Sequence, residues 1–261
     1  MIRKRIVSWV IGLVGWSVVL LLLVPIVYAC WISFSPVESL APPAGDWSLR
    51  SYRAFFADRR WTAALGNSFR VGFLSVGIAL VTGLPLAYAL ARHHFRGRSV
   101  LGIGVLLPLA MPPVVLGVGL LPAVHALGLW GSTISLALAH ALFGLPVVCV
   151  LIRSALVSGG TELEWAARGL GASAGRAFWR VTFPLIRPAM LAGALMAFIL
   201  SINDFMLALF LATPETETLP RVLWPQLRYA MSPVAAAASG IVTVLTVAAA
   251  ALAGGLWRRF G

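Results

Sequence analysis

Of eight acidic residues, only Asp204 lies well inside an apolar stretch, in the segment Ser-Ile-Asn-Asp-Phe at 201–205. A charge at mid-bilayer costs about 2.5–3.5 kcal/mol on insertion scales, so this carboxylate must face a cavity or a partner. Ser201, three residues earlier, shares its helical face, and Asn203 stands beside it. Together they offer oxygen acceptors to a cationic solute, and an ammonium group suits a carboxylate. A structural pair with Arg70, or with a partner subunit, accounts for Asp204 equally well. Other chemistry is less supported. His140 is a lone histidine in an apolar run with no partner visible nearby, which favours hydrogen-bonded packing over a proton relay. Adjacent His93 and His94 point about 100° apart on a helix and have no Cys, Asp or Glu close by, so no metal is expected there. Ser173 and His140 fall in a polar segment and an apolar run respectively, which excludes a serine-hydrolase pairing and leaves no catalytic residues. Cys30 and Cys149 sit in apolar runs as packing residues. Lys4 is the only lysine, so the chain has no phosphate-binding Walker loop; any ATP must be bound and hydrolysed by a separate subunit.

The elements that position these residues are set by composition. Of 261 residues, 60% are hydrophobic and 11% charged, with a mean hydropathy of +0.94, so the chain is an integral membrane protein. Its net charge of +12 comes from arginines that punctuate apolar runs without forming a patch interleaved with aromatics, which speaks against nucleic acid. Lipid admits helices that satisfy their own backbone and need roughly 20 residues to cross. The apolar runs predict an all-α protein with a single domain of six spans, at about 6–33, 62–91, 99–121, 131–152, 188–212 and 232–256. The first is too long for the core of a signal peptide. Aromatic and Arg residues over 48–58 predict an interfacial helix. Span three carries Pro108, Pro112 and Pro113, which fit either a broken helix lining a pathway or a plain proline kink. Thirteen of the twenty Lys and Arg fall on the side holding both termini, the Arg92 loop and a polar island at 161–188, which makes that side cytoplasmic.

The island predicts a helical hairpin. Thr161 and Glu164 form a capping box, Gly171 ends the first helix in a left-handed turn, Ser173 caps the second, and Pro184 should stop it. Trp165, Ala166 and Ala167, followed by Gly171, Val181, Phe183 and Pro184, resemble in spacing the signature loop of ATP-binding-cassette (ABC) importer permeases. Trp165 stands where that family has an acid, with Glu162 and Glu164 alongside. Asn67 to Phe69, Pro108 to Pro113, the 201–205 segment, Thr218 to Pro220 and Ser232-Pro233 extend the likeness over nearly the whole chain and look like spermidine/putrescine permease subunits.

The resemblance implies a MetI-like type I importer fold in a bacterial inner membrane. It implies a second permease as a heterodimer, two ATPase subunits, a periplasmic solute-binding protein, and alternating access. Residues 161–187 would be the ATPase-coupling loop, with Glu164, Trp165, Ala166, Ala167, Gly171 and Pro184 as its contacts. Ser201, Asn203 and Asp204 would line the substrate pathway. Related permeases for ferric iron, phosphonate, sulfate or molybdate share much of the pattern. From a different class, an ATPase-independent secondary transporter is the alternative.

Overall fold

The computed structural model describes residues 2–36, 43, 45–226, 228 and 233–260, and the secondary-structure elements among them are helical. Ser232 lies outside the described residues, as do the side chains of Arg3, Lys4, Arg5, Arg258 and Arg259 that entered the charge count. Long helices cover four of the stretches expected as spans: α1 (Ile2–Ile32), α3 (Arg59–Arg92), α6 (Thr133–Ser158), which continues past the end expected at 152, and α12 (Pro233–Phe260). The helix expected over 48–58 is present as the short α2 (Arg50–Ala57), which buries Ser51 and Phe55.

Span three is not continuous. It consists of α4 (Arg98–Ala110) and α5 (Pro113–Ala126), bent by 107° at the break. A residue before proline is driven out of the helical region, and here two prolines follow in series. Met111 at ψ 138° and Pro112 at ψ 132° are extended, and Pro113 then starts α5, where its missing N–H costs nothing. Among the described residues, five helices are long and apolar enough to cross a membrane, and the bent pair taken as one span makes six.

The fifth span also departs from expectation. After α7 (Glu162–Gly169), the chain is helical from Ala174 to Asn203, through α8 (Ala174–Ala177), a π-helical turn (Phe178–Thr182) and α9 (Phe183–Asn203). Pro184 therefore does not stop a helix. In the π-turn the Phe183 N–H bonds the Phe178 carbonyl five residues back, and this wider turn places Pro184 in the first turn of α9, where no amide donor is needed. The backbone opens instead at Asp204 (ψ 128°) and resumes as α10 (Met206–Leu211), so the run expected over 188–212 is two helices. The last short helix is α11 (Leu219–Pro225).

The chain forms two compact units. In the first, residues 1–62 and 223–244, the Tyr52 hydroxyl lies 2.8 Å from that of Ser33, and the Phe34 ring packs on Tyr52 and Trp47. The apolar side chains of α1 from Trp9 to Tyr28 are exposed, as suits a helix facing lipid. In the second unit, residues 63–222 and 245–261, α6 and α9 pack at its centre. Lipid gives helices no hydrophobic drive to associate, so close contact relies on small residues. A Cβ on Gly144 would sit 2.9 Å from that of Ala197, and one on Gly193 would sit 3.2 Å from the Val148 Cα. Gly144→Leu is accordingly expected to wedge α6 from α9 at a cost of about 1–3 kcal/mol. A lower thermal midpoint of the purified protein is the expected result, and an unchanged midpoint would refute this packing.

Candidate functional site

The hairpin at 161–184 is anchored differently from the capping-box expectation. Thr161 has φ −117° and ψ −6° and its side chain makes no cap bond. Glu164 instead turns inward. Its Oε1 accepts from the Tyr88 hydroxyl at 3.0 Å, and its Oε2 accepts from the Thr182 hydroxyl at 3.2 Å and lies 3.7 Å from Arg92 Nε. Arg92 also donates to the Gly160 carbonyl. Arg92 and Glu164 are each only 13% exposed, and a carboxylate so enclosed gains more from a guanidinium and two hydroxyls than from one backbone amide.

The other end of the hairpin follows its local sequence. Gly171 takes φ +88°; its N–H bonds the Arg168 carbonyl and that of Ala172 bonds the Ala167 carbonyl, both at 3.0 Å. This is the paired bonding of a Schellman cap, which needs a left-handed residue. Ser173 Oγ then accepts from the Arg176 N–H at 3.4 Å, as expected. The hairpin leaves Ala166, Gly171 and Pro184 exposed and Ala167 half-buried. Trp165 is 71% exposed and Leu170 91%, the most exposed of the large apolar side chains on the hairpin, with Leu163 and Trp179 also exposed.

At the far end of α9, Ser201, Asn203 and Asp204 do come together, with a residue the sequence left unpartnered. His140 Nδ1 lies 2.7 Å from Ser201 Oγ, and its Nε2 lies 3.4 Å from Asp204 Oδ2. The same Oδ2 accepts from the N–H groups of Leu207 at 2.9 Å and Ala208 at 3.3 Å, so Asp204 caps α10. Among the described residues, Asp204 thus meets His140 and not Arg70. Asn203 Nδ2 donates to the Ile199 carbonyl at 2.8 Å and reaches Thr246 Oγ1 at 3.4 Å. All four residues line an open-mouthed cavity of about 300 Å³, lined elsewhere by Pro113, Phe143 and apolar residues of α9 and α10. The N-terminal proline of α5 lies in its wall, so the broken third span contributes to the cavity.

Residues 79–260 match the family described as "binding-protein-dependent transport system inner membrane component". The chain belongs to this family of ABC importer permeases. Among its relatives, the putrescine transport system permease protein PotI of Escherichia coli is 32% identical over 232 residues, 84% of this chain and 82% of that protein. The molybdenum transport system permease protein ModB of Mycobacterium tuberculosis is 34% identical over 202 residues, 71% of this chain and 75% of that one. The permease also shares its fold with a chain of the bacterial alginate ABC transporter solved in complex with an alginate pentasaccharide-bound periplasmic protein. The TM-score is 0.77, with 99% of this chain and 96% of that chain covered at 16% identity. The permease is therefore a multi-pass membrane protein whose family and fold are those of transport subunits.

Sequence inspection missed Tyr88, Arg92 and Thr182 of the permease as partners of Glu164. Tyr88 and Arg92 are one helical turn apart at the polar end of α3, which is the one local signal that they could share a partner.

Proposed function

We propose that this permease carries a polyamine-type cationic amine, passing it from a periplasmic binding protein to the cytoplasm by alternating access. The observation that carries this reading is the Asp204 carboxylate in the wall of the 300 Å³ cavity, beside Ser201 and Asn203. A carboxylate attracts an ammonium group and repels an oxyanion, and at about 4 Å the difference amounts to several kcal/mol in a partly dry site. Similarity to the putrescine permease supports the same class. The molybdenum relative keeps an oxyanion in view, and the carboxylate argues against it.

In this reading the permease binds no cofactor, and ATP is held by two separate ATPase subunits. A second permease completes a heterodimer in a bacterial inner membrane, with both termini and the hairpin in the cytoplasm. The hairpin docks on an ATPase through the exposed Trp165, Ala166 and Gly171 and the half-buried Ala167, while Pro184 begins the span behind it.

The test uses the assembled complex in proteoliposomes. Labelled putrescine should accumulate with ATP and the binding protein, and molybdate should not; the reverse would overturn the solute assignment. Single cysteines at Ala167 and Gly171 should crosslink to the ATPase, and their failure in a transport-active complex would overturn docking. Ion-driven uptake by this chain alone would favour a secondary transporter instead.

A further inference from the structure

We propose that Glu164 is a positioning residue of energy coupling, a tie that fixes α7 to α3 and α9 so that movement of the hairpin reaches the cavity. The inference rests on the docking role given to the hairpin above. The eight-residue α7 is joined to the rest of the chain through two left-handed glycines, Gly160 at φ +61° and Gly171 at φ +88°, and makes its side-chain ties to α3 and the π-helical turn through Glu164. Without those ties, displacement of so short a helix would be taken up in its flanking turns before it reached α9. Glu164 prevents that. Its two oxygens reach Tyr88 on α3 and Thr182 on the π-helical turn, with Arg92 beside them, and Thr182 is buried.

Thr182 immediately precedes α9, a helix of 21 residues and so roughly 30 Å long. Its opposite end carries Ser201, and Asp204 follows as its C-cap; both lie against His140 in the cavity wall. One continuous helix thus has Glu164 bonded near one end and the cavity cluster at the other. The π-turn is the weak point of that rod, because its wider hydrogen bonding is a common site of bending. Glu164 braces the turn from outside through Thr182. The tie also explains how the chain accommodates Trp165 in place of an acid: the neighbouring carboxylate works within the permease, and the aromatic faces outward.

The measurement is solute moved per ATP hydrolysed by the reconstituted complex, with Glu164→Ala, Thr182→Val and the double variant compared with the unaltered protein. A residue that only helps folding lowers both rates together as less complex assembles. A tie lowers their ratio. Glu164→Ala is expected to leave ATP hydrolysis within about twofold while uptake falls about tenfold, and Thr182→Val to lose part of the same ratio. The double variant should be no worse than Glu164→Ala, since both cut one link. An unchanged ratio in both single variants, or a parallel loss of both rates in both, overturns the tie. The Ala167→Cys crosslink to the ATPase separates the two inferences. If the crosslink forms and the ratio holds, only the tie falls; if it never forms in an active complex, docking falls and the tie with it.

Discussion

Asp204→Asn is expected to reduce uptake of a cationic amine by at least about tenfold while leaving the permease folded and assembled. Asparagine caps helices as well as aspartate does, so its oxygen can still accept from the Leu207 and Ala208 N–H groups and hold the start of α10. It also keeps a polar atom beside His140, 3.4 Å away. What it loses is the negative charge. An ammonium about 4 Å from a carboxylate gains about 4 kcal/mol at an effective dielectric near 20, and recovering a third of that in the transport cycle gives a tenfold effect. Uptake in proteoliposomes and thermal unfolding of the purified protein check the two halves of the statement. Normal uptake would remove Asp204 from the pathway. Asp204→Ala serves as the contrast, because it strips the cap as well, adding about 1 kcal/mol of instability.

Trp165→Ala should weaken retention of the ATPase by about thirtyfold, the roughly 2 kcal/mol that truncation of an aromatic anchor costs at an interface. Trp165 is 71% exposed on the hairpin, so its removal should change the stability of the permease itself by less than about 0.5 kcal/mol. That separation makes the variant informative. A stable protein that no longer copurifies with its ATPase assigns the side chain to the partner, whereas unchanged retention would refute the docking face. Trp165→Glu, which restores an acid at this position, should behave like the alanine variant, because a pocket that receives an indole offers a carboxylate little compensation for lost water.

The cavity cluster was half legible in the sequence. Asp204 drew notice because a charge in an apolar run needs a reason, and Ser201 because it shares a helical face; both features are local. His140 was also visible, yet its partner Ser201 is 61 residues away, and nothing along α6 points to it. The hairpin divides in the same way. Gly171 and Ser173 do what their local sequence dictates, because a left-handed cap and a hydroxyl cap use neighbouring amides. Glu164 fits a capping box by spacing alone, but Tyr88, 76 residues distant, and Thr182, 18 residues distant, together with Arg92, hold its carboxylate elsewhere.

The sequence by itself determined the membrane class, the number of apolar runs, and the hairpin with its spacing of Trp165, Gly171 and Pro184. These depend on hydropathy and on interactions spanning a few residues, which a chain carries wherever it folds. Tertiary structure decided the rest. It carried one helix through Pro184 by means of a π-turn, turned the Glu164 carboxylate away from a capping box, and brought His140 to Ser201 and Asp204 around a cavity. Each is a choice between conformations of similar local cost, settled by groups that are distant in the chain and adjacent only once the helices have packed.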